Sequence, residues 1–216
     1  MPYTRRPLCP KCERPLAACW CAFVRRVTTP HSILVLQHPR AARAPFGTVR
    51  ILQQALPRVT VRVGTDFTHD DCVRAALSEP LHQPIVLFPR KNAKPLQQFA
   101  GERPLTLIVV DGTWTQANSI VRKNRWLDKL ASYRVATPRL SIFRLPSQPS
   151  VEHVSTLEAV AEALTLLQDN SQIHEILTTA LRAMIGLQLA CIDVRSSAIL
   201  GHRSLLVRAG YLPTLP

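Results

Sequence analysis

An α/β fold with a mainly parallel sheet flanked by helices is predicted by three observations. Short apolar runs rich in β-branched residues recur through the middle of the chain. Segments of helical apolar spacing alternate with them. The run Leu107 to Val110, with Leu105 before it, is continuous rather than alternating, as in a strand buried on both faces. Strands alternating with helices give a parallel sheet covered on both sides.

The elements follow in order. Residues 1 to about 30 are rich in Pro, Cys and Arg and carry no period, so they read as an appendage held by something other than a core. From residue 31 to 216 the chain reads as one domain. Ile33 to Gln37 is a predicted strand, and Thr48 to Leu56 a short helix with Thr48 as N-cap. Val59 to Val63 is a second strand and Asp70 to Leu77 a second helix. Ile85 to Phe88 is a third strand, stopped by Pro89. Thr106 to Val110 is the fourth, Gln116 to Lys123 a helix, and Tyr133 to Ala136 a fifth strand. After Pro149 the spacing predicts helices over Thr156 to Leu167 and Gln172 to Ala190. Thr156 reads as N-cap, with Glu158 placed to balance the dipole in the first turn. The tail from Arg195 is basic and ends Pro-rich. No internal repeat occurs. No Gly-x-Gly-x-x-Gly or Walker loop is present, which argues against dinucleotide and P-loop functions.

The 216 residues include 27 Lys and Arg against 14 Asp and Glu, a formal charge of +13. A field of that size favours a polyanionic partner, and nucleic acid is the usual one. An Arg-rich genome would give the same balance. No signal-peptide pattern is seen and no uncharged apolar stretch reaches membrane length; Leu181 to Val194 is interrupted by Arg182, Gln188 and Asp193. A cytoplasmic protein is expected, with reduced cysteines.

Four of the six cysteines form the set Cys9-x2-Cys12-x6-Cys19-x-Cys21. Four thiolates at short spacing suit tetrahedral zinc, and a closed four-sulfur site leaves the metal no open position, so its role would be structural. Metal binding would supply folding free energy to a segment with almost no core of its own. Arg5, Arg6, Lys11, Arg14, Arg25 and Arg26 surround it and would give it a phosphate-contacting surface. Cys72 and Cys191 lie on predicted helices and read as small buried hydrophobes. The seven histidines show no metal spacing with one another. His38 follows a strand end and keeps a functional alternative.

Asp111-Gly112-Thr113-Trp114 follows directly on the buried run. It stands where a strand ends and a loop opens, the edge at which open α/β sheets bind ligands. A carboxylate, a glycine, a hydroxyl and an aromatic plate suit a site that takes a proton and holds a flat ring. Each residue also has a plain structural use. Asp111 or Thr113 can cap the next helix, and Trp114 can be core. Gly112 reads as room for close backbone approach.

The cysteine set, Asp111-x-Thr113-Trp114 and the later Arg139-Leu140-Ser141, Phe143-Arg144 and Ser155-Thr156-Leu157-Glu158-Ala159, in that order, resemble the DTW-domain proteins. The resemblance runs from about Arg6 to Leu167. Bacterial members are tRNA-uridine aminocarboxypropyltransferases. The resemblance implies a SPOUT-like fold with a C-terminal trefoil knot. It implies S-adenosylmethionine as donor of the 3-amino-3-carboxypropyl group and N3 of a tRNA uridine as acceptor, in variable-loop or D-loop positions. It further implies Asp111 as general base and Trp114 and Thr113 at the base. Phe88, Pro89, Gly112, Leu140, Ser141, Arg144 and Glu158 would lie around the donor, and Thr48 and Arg50 at donor or tRNA. The chain departs from the family pattern at Ala41, where Glu is frequent, at Gly47, where Asn is frequent, and at Phe143, where Tyr stands. Two other readings share the same residues: a non-catalytic zinc-containing RNA-binding protein, and an S-adenosylmethionine-dependent RNA methyltransferase.

Overall fold

The computed structural model describes residues 7–44, 47–135, 141–142 and 154–196, the side chains of 191–196 excepted. Leu140, Phe143, Arg144, the side chain of Cys191 and the tail beyond residue 196 lie outside that set. The chain order is β1 (Ser32–Gln37), α1 (Pro39–Ala42), α2 (Val49–Ala55), β2 (Val59–Val63), α3 (Asp71–Leu77), β3 (Gln83–Leu87) and β4 (Lys94–Pro95). It continues with β5 (Leu105–Asp111), α4 (Trp114–Lys123), β6 (Ser132–Arg134), α5 (Thr156–Gln168) and α6 (Ser171–Ser196).

The six strands form one sheet in the order β2-β1-β5-β3-β6-β4, and every pair is parallel. Alternation along the strands divides the core in two. Ile33, Val35, Ile85, Leu87, Leu105, Leu107 and Val109 face α2, α5 and α6. Leu34, Leu36, Val86, Phe88 and Ile108 face α3, α4 and the 3-10 turn Arg125–Lys129. The central strands therefore read as unbroken apolar runs because both faces are buried. Among the described residues no helix is long and apolar enough to cross a membrane.

Boundaries depart from the sequence expectation where local chemistry is masked. β3 begins at Gln83 rather than Ile85. Pro84 has no N–H to donate, but there β3 has only β5 beside it, since β6 first pairs at Val86. α4 begins at Trp114 rather than Gln116, because Thr113 and Gln116 form a capping box. α5 is capped by Ser155, not Thr156, through the Ser155–Glu158 capping box. Thr48 caps nothing with its side chain: it is already helical in backbone and is buried. Cys72 is exposed on α3, not buried, because the core-facing position of that helix is taken by Val73.

The N-terminal segment is more firmly docked than its composition suggests. Leu8 and Pro15 bridge antiparallel and close a tight loop, in which the Cys9 N–H donates to the Arg14 carbonyl at 2.7 Å and the Glu13 N–H to that of Cys9 at 2.8 Å. Glu13 turns the loop with φ 57°. Trp20 is 1% exposed, and with Cys9, Cys12 and Val27 it belongs to the same core as Leu177, Leu181 and Ile51. The segment is thus a plate on the α2 and α6 side of the sheet.

Candidate active site and thiol cluster

The sheet order creates a switch point. From β1 the chain leaves over α2 to β2 on one side, and from β5 it leaves over α4 to β6 on the other. The crevice at the carboxyl ends of β1 and β5 is where such sheets bind ligands. Asp111 is the last residue of β5 and sits in register with Gln37, the last of β1.

Asp111 is held on every side. Its carbonyl accepts from the His38 N–H at 2.9 Å. Its Oδ2 accepts from Gln37 Nε2 at 2.9 Å and its Oδ1 from Thr156 Oγ1 at 2.5 Å. The carboxylate remains half-buried. It does not cap α4; Thr113 does, by accepting from Gln116 N while Gln116 Oε1 accepts from Thr113 N.

Gly112 has φ 153°, and a Cβ there would meet the Gln116 side chain at 3.0 Å and His38 Cβ at 3.3 Å. The positive φ favours glycine here, and the close neighbours add to that preference. Trp114 is 41% exposed, and its ring is 5.6 Å from that of the buried Phe88 at the end of β3, tilted by 58°. The ring is thus half packed, against the end of β3, and half open. Pro89 next to Phe88 is exposed.

Ser141 and Glu158 come together. Glu158 is 5% exposed, and its Oε1 accepts from Ile142 N at 2.6 Å while its Oε2 accepts from Ser155 N at 2.7 Å. Ser141 Oγ lies 3.0 and 3.2 Å from the two oxygens. The carboxylate closes the α5 capping box and ties residues 141–142 to the helix start. Its visible partners are thus protein donors. Thr48 is buried just before α2. Arg50 donates to the Cys12 carbonyl at 3.1 Å and pairs with Glu13 at 2.5 Å, so its guanidinium braces the cysteine loop. His38 accepts from Arg40 N at 3.2 Å and caps α1. Ala41 lies on α1, half-buried, and Gly47 precedes α2, where an added Cβ would lie 3.7 Å from the Ala44 carbonyl, its one contact within 4 Å among the described residues.

Sequence reasoning missed Gln37 as a neighbour of Asp111. A signal existed: it is the single amide in an otherwise apolar buried strand, Ser-Ile-Leu-Val-Leu-Gln. It also assigned the Thr156 hydroxyl to capping, where the adjacent Ser155 competes for the same job.

The sulfur atoms of Cys9, Cys12, Cys19 and Cys21 all lie within 4.8 Å of one another. Cys9 and Cys21 are 3.8 Å apart, as are Cys12 and Cys19. A tetrahedron with zinc–sulfur bonds of about 2.3 Å has edges of about 3.8 Å, so the four thiols fit a tetrahedral ion such as zinc. The backbone N–H groups of Cys12 and Lys11 draw the Cys9 thiol down to about 6. Burial pushes the Cys19 and Cys21 thiols up. A bound dication would reverse that second effect by stabilising thiolate.

A parallel α/β sheet with a clamped carboxylate at its switch point and a docked four-thiol cluster defines the class: an α/β protein with a candidate site at the sheet's carboxyl edge and a thiol set able to hold a metal ion. The chain belongs to the DTW domain family, whose profile matches residues 6–189. Three curated relatives are similar over most of the chain. "tRNA-uridine aminocarboxypropyltransferase 2" of Mus musculus is 33% identical over 192 residues, covering 86% of this chain and 64% of its own length. The Macaca fascicularis protein of the same name is 30% identical, with 87% and 65% covered. That of Drosophila melanogaster is 31% identical, with 87% and 77% covered. The chain therefore spans just under two thirds of the length of the two mammalian relatives. No solved structure gives a significant match.

Proposed function

We propose that this protein transfers the 3-amino-3-carboxypropyl group from S-adenosylmethionine to N3 of a uridine in tRNA, releasing methylthioadenosine. One observation carries the reading: a half-buried carboxylate, Asp111, held at both oxygens, stands at the β1–β5 switch point, three residues before the partly exposed Trp114. The names of the relatives supply the substrate class.

The donor supplies an electrophilic carbon next to a sulfonium. Asp111 takes the N3 proton as that nitrogen forms its bond to the carbon; the carbon–sulfur pair passes to sulfur, which leaves as a neutral thioether. Trp114 stacks on the uracil, an interaction worth roughly 1–3 kcal/mol, and Thr113 stands beside it while capping α4. Donor binding is assigned to the loops after β3, β5 and β6. These strands are consecutive in the sheet, so the loops leave from neighbouring ends. Phe88, Pro89, Gly112, Leu140, Ser141 and Arg144 would line them, with Arg144 gripping a carboxylate or phosphate. Glu158 serves the donor through the Ser141 and Ile142 segment it holds. A SPOUT-like fold with a C-terminal trefoil knot belongs to the same reading. The thiol cluster holds structural zinc, tRNA is the partner, and reduced thiols suit a cytoplasmic setting.

The test is to incubate the protein with S-adenosylmethionine and unmodified tRNA, then weigh the digested nucleosides. The expected product is a uridine heavier by the aminocarboxypropyl group, with methylthioadenosine released. S-adenosylhomocysteine and a methylated base would replace this reading with methyl transfer. Tight tRNA binding with no modified nucleoside would replace it with a binding role.

A further inference from the structure

We infer that Gln37 and Thr156 are positioning residues that fix the proton-accepting geometry of Asp111; the inference rests on the reading of Asp111 as the base. The two come from opposite parts of the chain, β1 and the start of α5, and meet only at this carboxylate. Both are donors, and each addresses a different oxygen, Gln37 Nε2 at 2.9 Å from Oδ2 and Thr156 Oγ1 at 2.5 Å from Oδ1. A carboxylate held at one oxygen can still turn about its last bond. Held at both, it cannot.

The clamp leaves the acid usable. An ionised carboxylate offers about four lone-pair sites, and two are occupied. What remains can accept a proton from a ring N–H presented at the strand edge. The main chain is fixed as well, because the Asp111 carbonyl accepts from His38 N. Among the described residues, neither clamp side chain makes another hydrogen bond that would explain it. Ser155, not Thr156, caps α5, so the Thr156 hydroxyl is free to point at β5. Gln37 is 6% exposed at the end of an apolar strand, where an amide is costly unless bonded. Its register partner is Asp111 itself, and paired residues of parallel strands project to the same face.

The start of α5 therefore does two things. Thr156 orients Asp111, and two residues on, Glu158 anchors residues 141–142. One turn of helix sets the spacing between the proposed base and the proposed donor loop.

Thr156→Val keeps the shape and the Ser155 cap and removes only the hydroxyl. Gln37→Met keeps length and removes the amide. Each is expected to lower kcat for tRNA modification by about 10- to 100-fold, the cost of misplacing a catalytic group, with KM for tRNA within about twofold. Thr156→Ser restores the hydroxyl and is expected to return kcat to within a few-fold of the parent. Melting curves identify any variant that fails to fold, and the remaining variant then decides. Unchanged kcat in a folded variant, a rise in KM without loss of kcat, or no recovery by Ser overturns the inference. A parent protein that makes no modified uridine, or an Asp111→Asn variant that turns over normally, overturns the base assignment and the inference with it. An active parent with insensitive clamp variants overturns the inference alone.

Discussion

At Asp111 the side chain and the main chain are held by different neighbours, and that separation makes a clean experiment available. Asp111→Asn keeps size but exchanges one acceptor oxygen for an amide NH2, removing the proton acceptor together with one of the two clamp bonds. It is expected to lower single-turnover transfer by at least about 10²-fold, with tRNA affinity unchanged within about twofold in a direct binding measurement. Retained turnover would remove Asp111 as base. Glu158 makes a contrasting case. Its buried carboxylate accepts from Ile142 N and Ser155 N and lies within bonding distance of Ser141. Glu158→Gln turns an amide NH2 toward donors, and charge-assisted bonds of this kind are worth about 1.5–3 kcal/mol. A stability loss of about 2 kcal/mol is expected in urea unfolding; an unchanged midpoint would show that the anchor is not holding. Residues also set the limit of what the sequence discloses. Asp111 and Trp114 were legible because a carboxylate and an aromatic ring are conspicuous after a buried run. Gln37 was not, because its partner lies 74 positions away and only strand register joins them.

At the scale of elements, caps decide where helices begin, and they compete. Ser155 and Thr156 are both good caps by residue type, and tertiary contact with Asp111 assigns one to each task. Strand positions were legible from apolar runs, while strand ends were hidden wherever Pro84 or a two-residue pair such as Lys94–Pro95 carries no run to read. α3 offers a test of a single cap. Burial by itself would raise the Asp70 carboxyl, but its bond to Arg62 and the Val73 N–H outweigh this and hold it below the ordinary range. A carboxyl depressed in the folded state contributes stability that is present above its unfolded value, about 3.9, and lost as pH falls through the folded value. Asp70→Asn keeps an acceptor for the cap and deletes the charge. Stability of the parent is expected to drop more steeply than that of the variant as pH falls below about 4, read from urea midpoints. Parallel profiles would mean that the Arg62 pair contributes nothing.

For the whole molecule, the thiol cluster is not a detachable ornament. Cys9, Cys12 and Trp20 belong to the core that includes α2 and α6, and Arg50 of α2 braces the loop. Composition shows a metal-type set but not its docking, because the core partners of Trp20 and Val27 lie far along the chain, on α2 and α6. Cys12→Ser is expected to lose bound zinc and to lower the melting temperature of the whole domain in one transition, since core burial is shared. Metal analysis that finds a full equivalent in the variant would refute four-thiol coordination. A separate low-temperature transition that leaves the main one unmoved would refute the shared core.

The clamp on Asp111 also has a history in time. Its donors sit at positions 37 and 156, on either side of the acid at 111. A growing chain lengthens at about 5–20 residues per second, so the carboxylate is made seconds before Thr156 exists. Pairings this distant close slowly, because loop entropy is lost before contact is gained. β1 can pair with β2 and β5, and β5 with β3, while the carboxylate has only Gln37 to hold it. The fixed orientation of the carboxylate is then acquired late, when α5 settles and the last donor arrives.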